Sequence, residues 1–212
     1  MPSYYPVTPD KNWFQTYTGK LVDVENPTPD MVDIQDIAHA LSMTCRFGGH
    51  CRDFYSVAEH SVIVEQCGIY PYSPHDSQNY RAQLALLLHD AAEAYIGDIV
   101  TPVKNLLQDA HPLERKWLKV IEQKFDLTNH LSIPGKYIKD ADLEILSQEV
   151  VTLFAPVLPN WWKKFKQPSS SNFTAGGVIQ CWTPSEARRR FLHRFHEIQL
   201  QRGDSEPWTT QP

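Results

Sequence analysis

The sequence lacks the features that place a protein in a membrane or on nucleic acid. No apolar run approaches the roughly 20 residues that a membrane-spanning helix needs. Lysine and arginine number 20 against 25 acidic residues, a net charge of −5, so the basic excess of a general nucleic-acid surface is missing. The first residues have neither the basic flank nor the apolar core of a secretion signal. We therefore expect a cytoplasmic protein without membrane or nucleic-acid partners.

Two further protein classes are disfavoured by the cysteine and glycine patterns. Cys45, Cys51, Cys67 and Cys181 form no CxxC pair, and without an export signal we expect them to be free thiols. The sequence has no GxxxxGK[ST] loop, which leaves kinase or motor chemistry of that type unsupported.

Strand signals are also weak, whereas helical signals recur along the chain. Ile34, Ile37, Ala38 and Leu41 repeat at helical spacing. Further helices are expected from a capping box at 56–59, after Pro112, over 135–154 with a heptad-like stripe, and at 183–200. We predict a single all-α domain spanning 1–212. It would carry an extended N-terminal arm at 1–30 and an irregular lid or insertion at 155–182.

Residues 81–98 contain the most informative pattern in the chain. An apolar run from Leu84 to Leu88 predicts a buried helix, which His89, Asp90 and Glu93 interrupt on one face. Gly97 can end this helix, and Asp98 follows at once. Burying such groups is unfavourable unless they are paired or bind a cation. Because no lysine or arginine lies between positions 81 and 104, a metal site is the most direct explanation. The alternative is a histidine satisfied by its neighbouring acid.

Four residues on three predicted helices qualify as ligands: His60, His89, Asp90 and Asp142. Imidazole combined with carboxylate suits zinc, manganese, cobalt or iron better than calcium. We expect one divalent transition metal, zinc, manganese or cobalt, with magnesium as the alternative. Such a metal acidifies water into a nucleophile near neutral pH. Taken singly, His60 and Asp142 fit equally well as a helix-start histidine and a solvated helix acid.

Five short motifs resemble the HD-domain metal-dependent phosphohydrolases, in both order and spacing. They are Arg46-Phe-Gly-Gly-His50, Tyr55-Ser-Val-Ala-Glu-His60, Leu88-His-Asp-Ala-Ala-Glu-Ala-Tyr95, Gly97-Asp98 and Lys139-Asp-Ala-Asp142. The likeness is greatest to the branch with the YfbR-type 5'-deoxynucleotidases and YfdR-like proteins, and related viral dATP triphosphohydrolases share the motif order. It extends from about residue 16 to residue 146.

The resemblance implies a fold, an oligomer and residue roles. It implies a helical bundle around one metal centre, in a homo-oligomer, with His60, His89, Asp90 and Asp142 as ligands. The implied catalytic acids are Glu93 and Asp98, and Arg46 and Phe47 are placed beside the substrate. Lys104 and Lys139 flank the predicted acidic residues and can reach the same centre, although either can equally be a solvated helix lysine.

The resemblance implies a divalent-metal-dependent phosphohydrolase that cleaves phosphate from nucleotides. We expect deoxynucleoside 5'-monophosphates as substrates. A dNTP triphosphohydrolase with the same centre and a cyclic-nucleotide phosphodiesterase are the enzymatic alternatives. A non-catalytic, metal-stabilised nucleotide-binding module is the alternative of another class, although such a module needs neither Glu93 nor Asp98.

Overall fold

A computed structural model describes residues 12–67, 79–127, 130–131, 135–154 and 178–201, which form eight α-helices and a two-stranded sheet. The strands are β1 (Trp13–Gln15) and β2 (Leu21–Asp23). The helices are α1 (Ile34–Met43), α2 (Val57–Cys67), α3 (Asn79–Leu87), α4 (Glu93–Ile96), α5 (Thr101–Lys104), α6 (Ala110–Phe125), α7 (Lys136–Leu153) and α8 (Pro184–Gln201). The predicted all-α class is confirmed. None of these helices combines the length and apolar character needed to cross a membrane.

The core is built where α8 packs against α1, α2 and α3. Helix α1 also contacts α4, and α2 contacts α7, so the central helices reach both sides of the predicted site. Helices α1, α2, α3 and α8 each bury an apolar face in this core. The largest fully buried side chains are Trp117, Tyr55, Phe191, Phe195, Ile37, Leu41, Ile63, Leu84, Leu86, Leu87, Leu88 and Ile121.

The described part of the predicted N-terminal arm contains a β-hairpin, which corrects the expectation of a merely extended segment. Strands β1 and β2 pair antiparallel with Phe14 opposite Val22. Gly19 has a φ of +88° in the connecting turn, a backbone angle that favours glycine. Val22 is buried, and the indole Nε1–H of Trp117 donates to the Val24 carbonyl at 3.1 Å. Residues 1–11 lie outside the described residues.

The predicted helix through residues 88–92 is interrupted. Helix α3 ends at Leu87, and α4 begins only at Glu93. The His89 Nδ1 lies 2.8 Å from the Leu86 carbonyl oxygen, which a continuing α-helix would pair with the amide of residue 90. Tighter turns replace it, with Ala91 N donating to Leu88 O at 3.0 Å. Gly97, at φ +81°, follows α4 as the sequence predicted.

The capping box at the start of α2 is only half formed. The Glu59 amide donates to Ser56 Oγ at 3.1 Å, but the Glu59 carboxylate does not return to the helix start. It accepts instead from the backbone amides of Gln180, Cys181 and Trp182, at 2.8, 3.0 and 2.6 Å. One buried carboxylate therefore ties the segment before α8 to α2. Most of the predicted lid, residues 155–177, lies outside the described residues.

Replacing Glu59 with alanine should destabilise the protein, because three backbone donors lose their acceptor. We expect the free energy of unfolding to fall by roughly 1–3 kcal/mol, the scale of hydrogen bonds to a charged group, because the three donors are only partly buried. Urea denaturation measures the change. Glu186→Ala is the control, because it removes a partly exposed carboxylate near the start of α8 whose partners, Arg189 and Arg190, are themselves exposed. Equal stability of Glu59→Ala and Glu186→Ala would show that the Glu59 contacts carry little energy.

Helix α6, the helix predicted after Pro112, buries Trp117, Val120, Ile121 and Phe125 along one face. The heptad-like stripe predicted for α7 is wrong at two positions. Leu143 is 44% exposed and Leu146 is half-buried. Ile138, Val150 and Leu153 of the predicted stripe are buried, and the buried face also includes Ile145 and Glu149, in keeping with about 3.6 residues per turn. Leu143 and Leu146 therefore point toward the candidate site.

Candidate metal centre

The four predicted ligands come together from three parts of the chain. His60 lies on α2, His89 and Asp90 lie in the turns after α3, and Asp142 lies on α7. The His60 Nε2 is 3.2 Å from the His89 Nε2 and 3.6 Å from Asp90 Oδ2. The His89 Nε2 is 3.2 Å from the same Asp90 oxygen. Asp142 Oδ1 lies 3.2 Å from the His60 Nε2 and 4.0 Å from the His89 Nε2.

These distances suit a metal ion. Bonds of about 2.0–2.2 Å place neighbouring ligand atoms roughly 3.0–3.5 Å apart. The Nδ1 of His60 lies 2.6 Å from Glu149 Oε1, and the Nδ1 of His89 lies 2.8 Å from the Leu86 carbonyl. Both neighbours are acceptors, so each Nδ1 carries the proton and each Nε2 is directed at the carboxylates. The group formed by His60, His89 and Asp90 can therefore hold a metal ion.

The electrostatics of the cluster favour positive charge between the ligands. Burial raises the pKa of Asp90, but His89, His60 and Arg46 outweigh it and hold the pKa well below the usual range. Burial also opposes ionisation of Asp142, whose pKa is nevertheless lowered by its bond to His60. Burial and Arg46 lower the pKa of His60, whereas Glu149 and Asp142 raise it, to about 9. The carboxylates around His60 stabilise positive charge at this position, whether a proton or a metal ion carries it.

The two predicted catalytic acids lie beside this cluster without belonging to it. Glu93 is 6% exposed, and its Oε2 has no hydrogen-bond partner among the described residues. Burial, with Asp90 and Asp98, raises the pKa of Glu93 well above its usual value. Asp98 is half-buried, and burial raises its pKa although Arg46 opposes the change. Two acids in different environments are thus available to move protons.

A cavity of about 830 Å³ opens over the cluster. Its polar lining comprises Arg46, Asp90, Glu93, Asp98, Lys104 and Asp142, among others. Its apolar lining comprises Phe47, Ile99, Val100, Leu143, Leu146 and Phe154. The rings of Phe47 and Phe154 meet edge to face, with their centroids 5.0 Å apart. This volume suits a ligand of nucleotide size.

The loop at residues 46–49 places Arg46 and Phe47 side by side at this cavity. Phe47 and Gly48 have φ angles of +59° and +61°, and this left-handed pair sharply turns the chain. Arg46, which the resemblance places beside the substrate, contacts two carboxylates in this structure. Its Nη1 lies 3.3 Å from Asp90 Oδ2, and its Nη2 lies 3.1 Å from Glu149 Oε2. Only Nε is buried without a partner among the described residues.

The two predicted lysines differ in position. Lys104 lines the cavity, and its Nζ lies 2.7 Å from Glu114 Oε1. Lys139 is exposed on α7 and does not contribute to the cavity lining. The tertiary structure therefore brings one of these two lysines to the site, and that lysine is already paired.

Comparison with known proteins identifies relatives along nearly the whole chain. No family model matches the chain. The uncharacterized protein YfdR of Escherichia coli (strain K12) is 38% identical over 193 residues, 88% of this chain and 96% of YfdR. The chain belongs to the YfdR family. An uncharacterized protein of Rhodobacter capsulatus is 33% identical to it over 192 residues, 88% of this chain and 95% of that protein. Neither name gives an activity.

One residue that the sequence analysis missed lies at the centre of this YfdR-family site. Glu149 on α7 is fully buried and contacts both His60 and Arg46. It follows Asp142 by about two helical turns on the same face. An acidic residue beside Val150 on the apolar face of a helix was the available signal, because buried carboxylates need partners. The identity of those partners was not readable from the sequence.

Proposed function

We propose that this protein is a divalent-metal-dependent phosphohydrolase that releases phosphate from nucleotides, with deoxynucleoside 5'-monophosphates as its substrates. One observation carries the proposal. The cluster of His60, His89 and Asp90 adjoins a cavity of about 830 Å³ that also holds Glu93 and Asp98. A module that only binds metal needs ligands and packing, whereas two acids outside the ligand set serve hydrolysis.

Different side chains have different roles in breaking the bond between phosphorus and the 5'-oxygen. A bound divalent metal would supply Lewis acidity, polarising the phosphate and lowering the pKa of water. Asp98, half-buried at the cavity wall, accepts a proton from the attacking water. Glu93, whose pKa is raised by burial and by the neighbouring Asp90 and Asp98, donates a proton to the leaving 5'-oxygen. The products are inorganic phosphate and a nucleoside.

The apolar wall of the cavity supports a nucleoside as the leaving group, and a deoxynucleoside in particular. Phe47, Phe154 and Leu146 offer a surface on which a base can pack. A ribose 2'-hydroxyl buried against such a wall without a partner costs about 1–3 kcal/mol. We infer that the site prefers the sugar that lacks this hydroxyl.

The charge of the cavity supports a monophosphate over a triphosphate. Among the described residues, one arginine, Arg46, and one lysine, Lys104, line the cavity. Arg46 is engaged by Asp90 and Glu149, and Lys104 is engaged by Glu114. A triphosphate carries three to four negative charges and needs several free cations along its length. A monophosphate needs little beyond the metal.

A substrate screen tests the proposal. We expect purified protein with Mn²⁺ or Co²⁺ to release inorganic phosphate from deoxynucleoside 5'-monophosphates. We expect kcat/KM to be roughly tenfold or more above that for the matching ribonucleotides, which corresponds to one unpaired buried hydroxyl. Release of intact triphosphate from dNTPs would show a triphosphohydrolase instead. Opening of cyclic nucleotides would show a phosphodiesterase, and binding without turnover would show a nucleotide-binding module.

A comparison of variants at Lys104 and Lys139 offers a second test of the proposed substrate site. Because Lys104 already pairs with Glu114, Lys104→Ala should lower kcat/KM for a monophosphate by at most roughly tenfold, the equivalent of one charge-assisted hydrogen bond. The loss should be greater with triphosphate. Lys139→Ala is the matched control, since Lys139 lies outside the cavity lining, and its kinetics should equal those of the wild-type protein. Equal behaviour of both variants would remove Lys104 from the substrate site.

A further inference from the structure

Glu149 links two parts of the metal centre through separate oxygens. Its Oε1 lies 2.6 Å from the Nδ1 of His60, and its Oε2 lies 3.1 Å from the Nη2 of Arg46. Arg46 continues the chain, because its Nη1 lies 3.3 Å from Asp90 Oδ2. Asp90 and His60 in turn meet across the centre at 3.6 Å. The four side chains form a closed ring in which two members are ligands and two are supports.

We infer that Glu149 is a positioning residue of the metal centre, acting on His60 directly and on Asp90 through Arg46. The inference rests on the metal site that the proposed function uses. A carboxylate bound to the far nitrogen of a ligating histidine fixes its tautomer, orients the ring and raises its basicity. Here a single carboxylate does this and also places the guanidinium that holds a second ligand. One residue of α7 thus sets ligands from α2 and from the turns after α3.

A buried ion pair elsewhere in the protein shows what a structural pair without this role looks like. Glu65 on α2 is fully buried, and its two oxygens lie 2.6 and 2.7 Å from nitrogens of Arg194. Both Glu65 oxygens therefore meet the same guanidinium. Glu149 instead divides its oxygens between a guanidinium and the imidazole of a metal ligand. The short contact to His60 is the feature that ion pairing alone does not require.

The chemistry of an amide at position 149 indicates what would be lost. Glutamine has almost the shape of glutamate, but it offers one acceptor oxygen and one NH₂ donor. His60 Nδ1 and Arg46 Nη2 are both donors, so the amide can satisfy only one of them. The remaining donor, on His60 or on Arg46, then faces the NH₂ group of the glutamine and must move away. Either His60 or Arg46, and with it Asp90, loses its fixed position.

Metal binding by Glu149→Gln tests the inference without any substrate. Titration with Co²⁺, followed by calorimetry and by the visible absorption of the ion, should show a Kd raised roughly 10–100-fold, the usual effect of removing such a support. The Co²⁺ spectrum should also change. Glu65→Gln is the matched control, because it weakens a buried glutamate–arginine pair away from the ligands. We expect its Kd to stay within about twofold of wild type even if its melting temperature falls.

The outcomes separate this inference from the proposed activity. A Glu149→Gln protein whose Kd for Co²⁺ stays within about twofold of wild type, with an unchanged spectrum, overturns the positioning role. A wild-type protein that binds no Co²⁺ overturns the metal centre as well. Absence of phosphatase activity leaves the binding result intact and counts against the proposed function alone. If Glu149→Gln does not fold, Glu149→Asp serves the same test, since it keeps the buried charge but is one methylene too short to hold both His60 and Arg46 at their present distances.

Discussion

Glu93→Gln should lower kcat by roughly 10²–10⁴-fold while the protein keeps its metal. This range is the usual contribution of one general acid or base, and the amide neither gives nor accepts the proton in transit. The metal should remain because His60, His89 and Asp90 form the ligand group without Glu93. Since Oε2 has no partner among the described residues, the substitution breaks no bond of that oxygen.

Steady-state kinetics with a deoxynucleoside monophosphate, together with elemental analysis of the purified variant, measures both halves of this result. Glu122→Gln is the control, because Glu122 is also a buried glutamate but accepts from the Leu131 amide on another side of the core. Its turnover should be close to that of the wild-type protein. Near-normal rates in both Glu93→Gln and Asp98→Asn would contradict the assigned roles and favour a nucleotide-binding module.

His89→Ala and Asp90→Ala should each abolish metal binding and activity together. Both residues lie in the turns after α3, and each contributes an atom to the group that can hold the ion. Because the remaining ligands come from α2 and α7, a bound ion cross-links separate parts of the chain. At a free metal concentration of 100 times its Kd, binding stabilises the folded state by about 2.7 kcal/mol.

That stabilisation predicts a clear thermal effect. A chelator should lower the melting temperature of the wild-type protein by roughly 5–10 °C, given about 2–4 °C per kcal/mol for a chain of this size. It should leave the melting temperature of His89→Ala and Asp90→Ala unchanged. His193→Ala is the control, since its side chain is 66% exposed on α8, and it should respond like wild type. Full metal occupancy in His89→Ala and Asp90→Ala by elemental analysis would remove these residues from the ligand set.

The two sets of variants answer different questions about the same site. Ligand variants report whether a metal is held, and the Glu93 variant reports whether the neighbouring acids act on a substrate. Loss of metal in the first set combined with normal turnover in the second would describe a metal centre with different catalytic groups. If the ligand variants lose the metal but the wild-type protein shows no turnover, the protein is a metal-stabilised binding module.

Local features of this protein were determined by the sequence alone. The apolar repeat after Asp33, the glycine after α4 and the amphipathic pattern of α6 act within one or two helical turns. Their hydrogen bonds and apolar contacts involve neighbours in the chain, and spacing reports them directly. The identity of His89, Asp90 and Glu93 within a leucine-rich run is local in the same sense. It predicted a cluster of buried ionisable groups.

The tertiary structure decided which buried charges meet. Glu149 and His60 are separated by 89 residues, and Arg46 and Asp90 by 44. Glu59 had a local partner available in Ser56, yet its carboxylate binds backbone amides more than 120 residues away. A buried carboxylate takes whichever donors the packing of helices brings within hydrogen-bond distance. No spacing within one helix reports that choice.

The same reason explains the local predictions that were wrong. His89 draws the Leu86 carbonyl into a side-chain bond, so the helix predicted through residues 88–92 gives way to turns. Leu143 and Leu146 are apolar residues that would suit a core. The face of α7 that meets α2, however, carries Asp142 and Glu149 to the candidate metal centre, and the two leucines line the cavity. Propensity and periodicity describe what a segment can do alone. Contacts between distant segments are together stronger than these local preferences, and they override them.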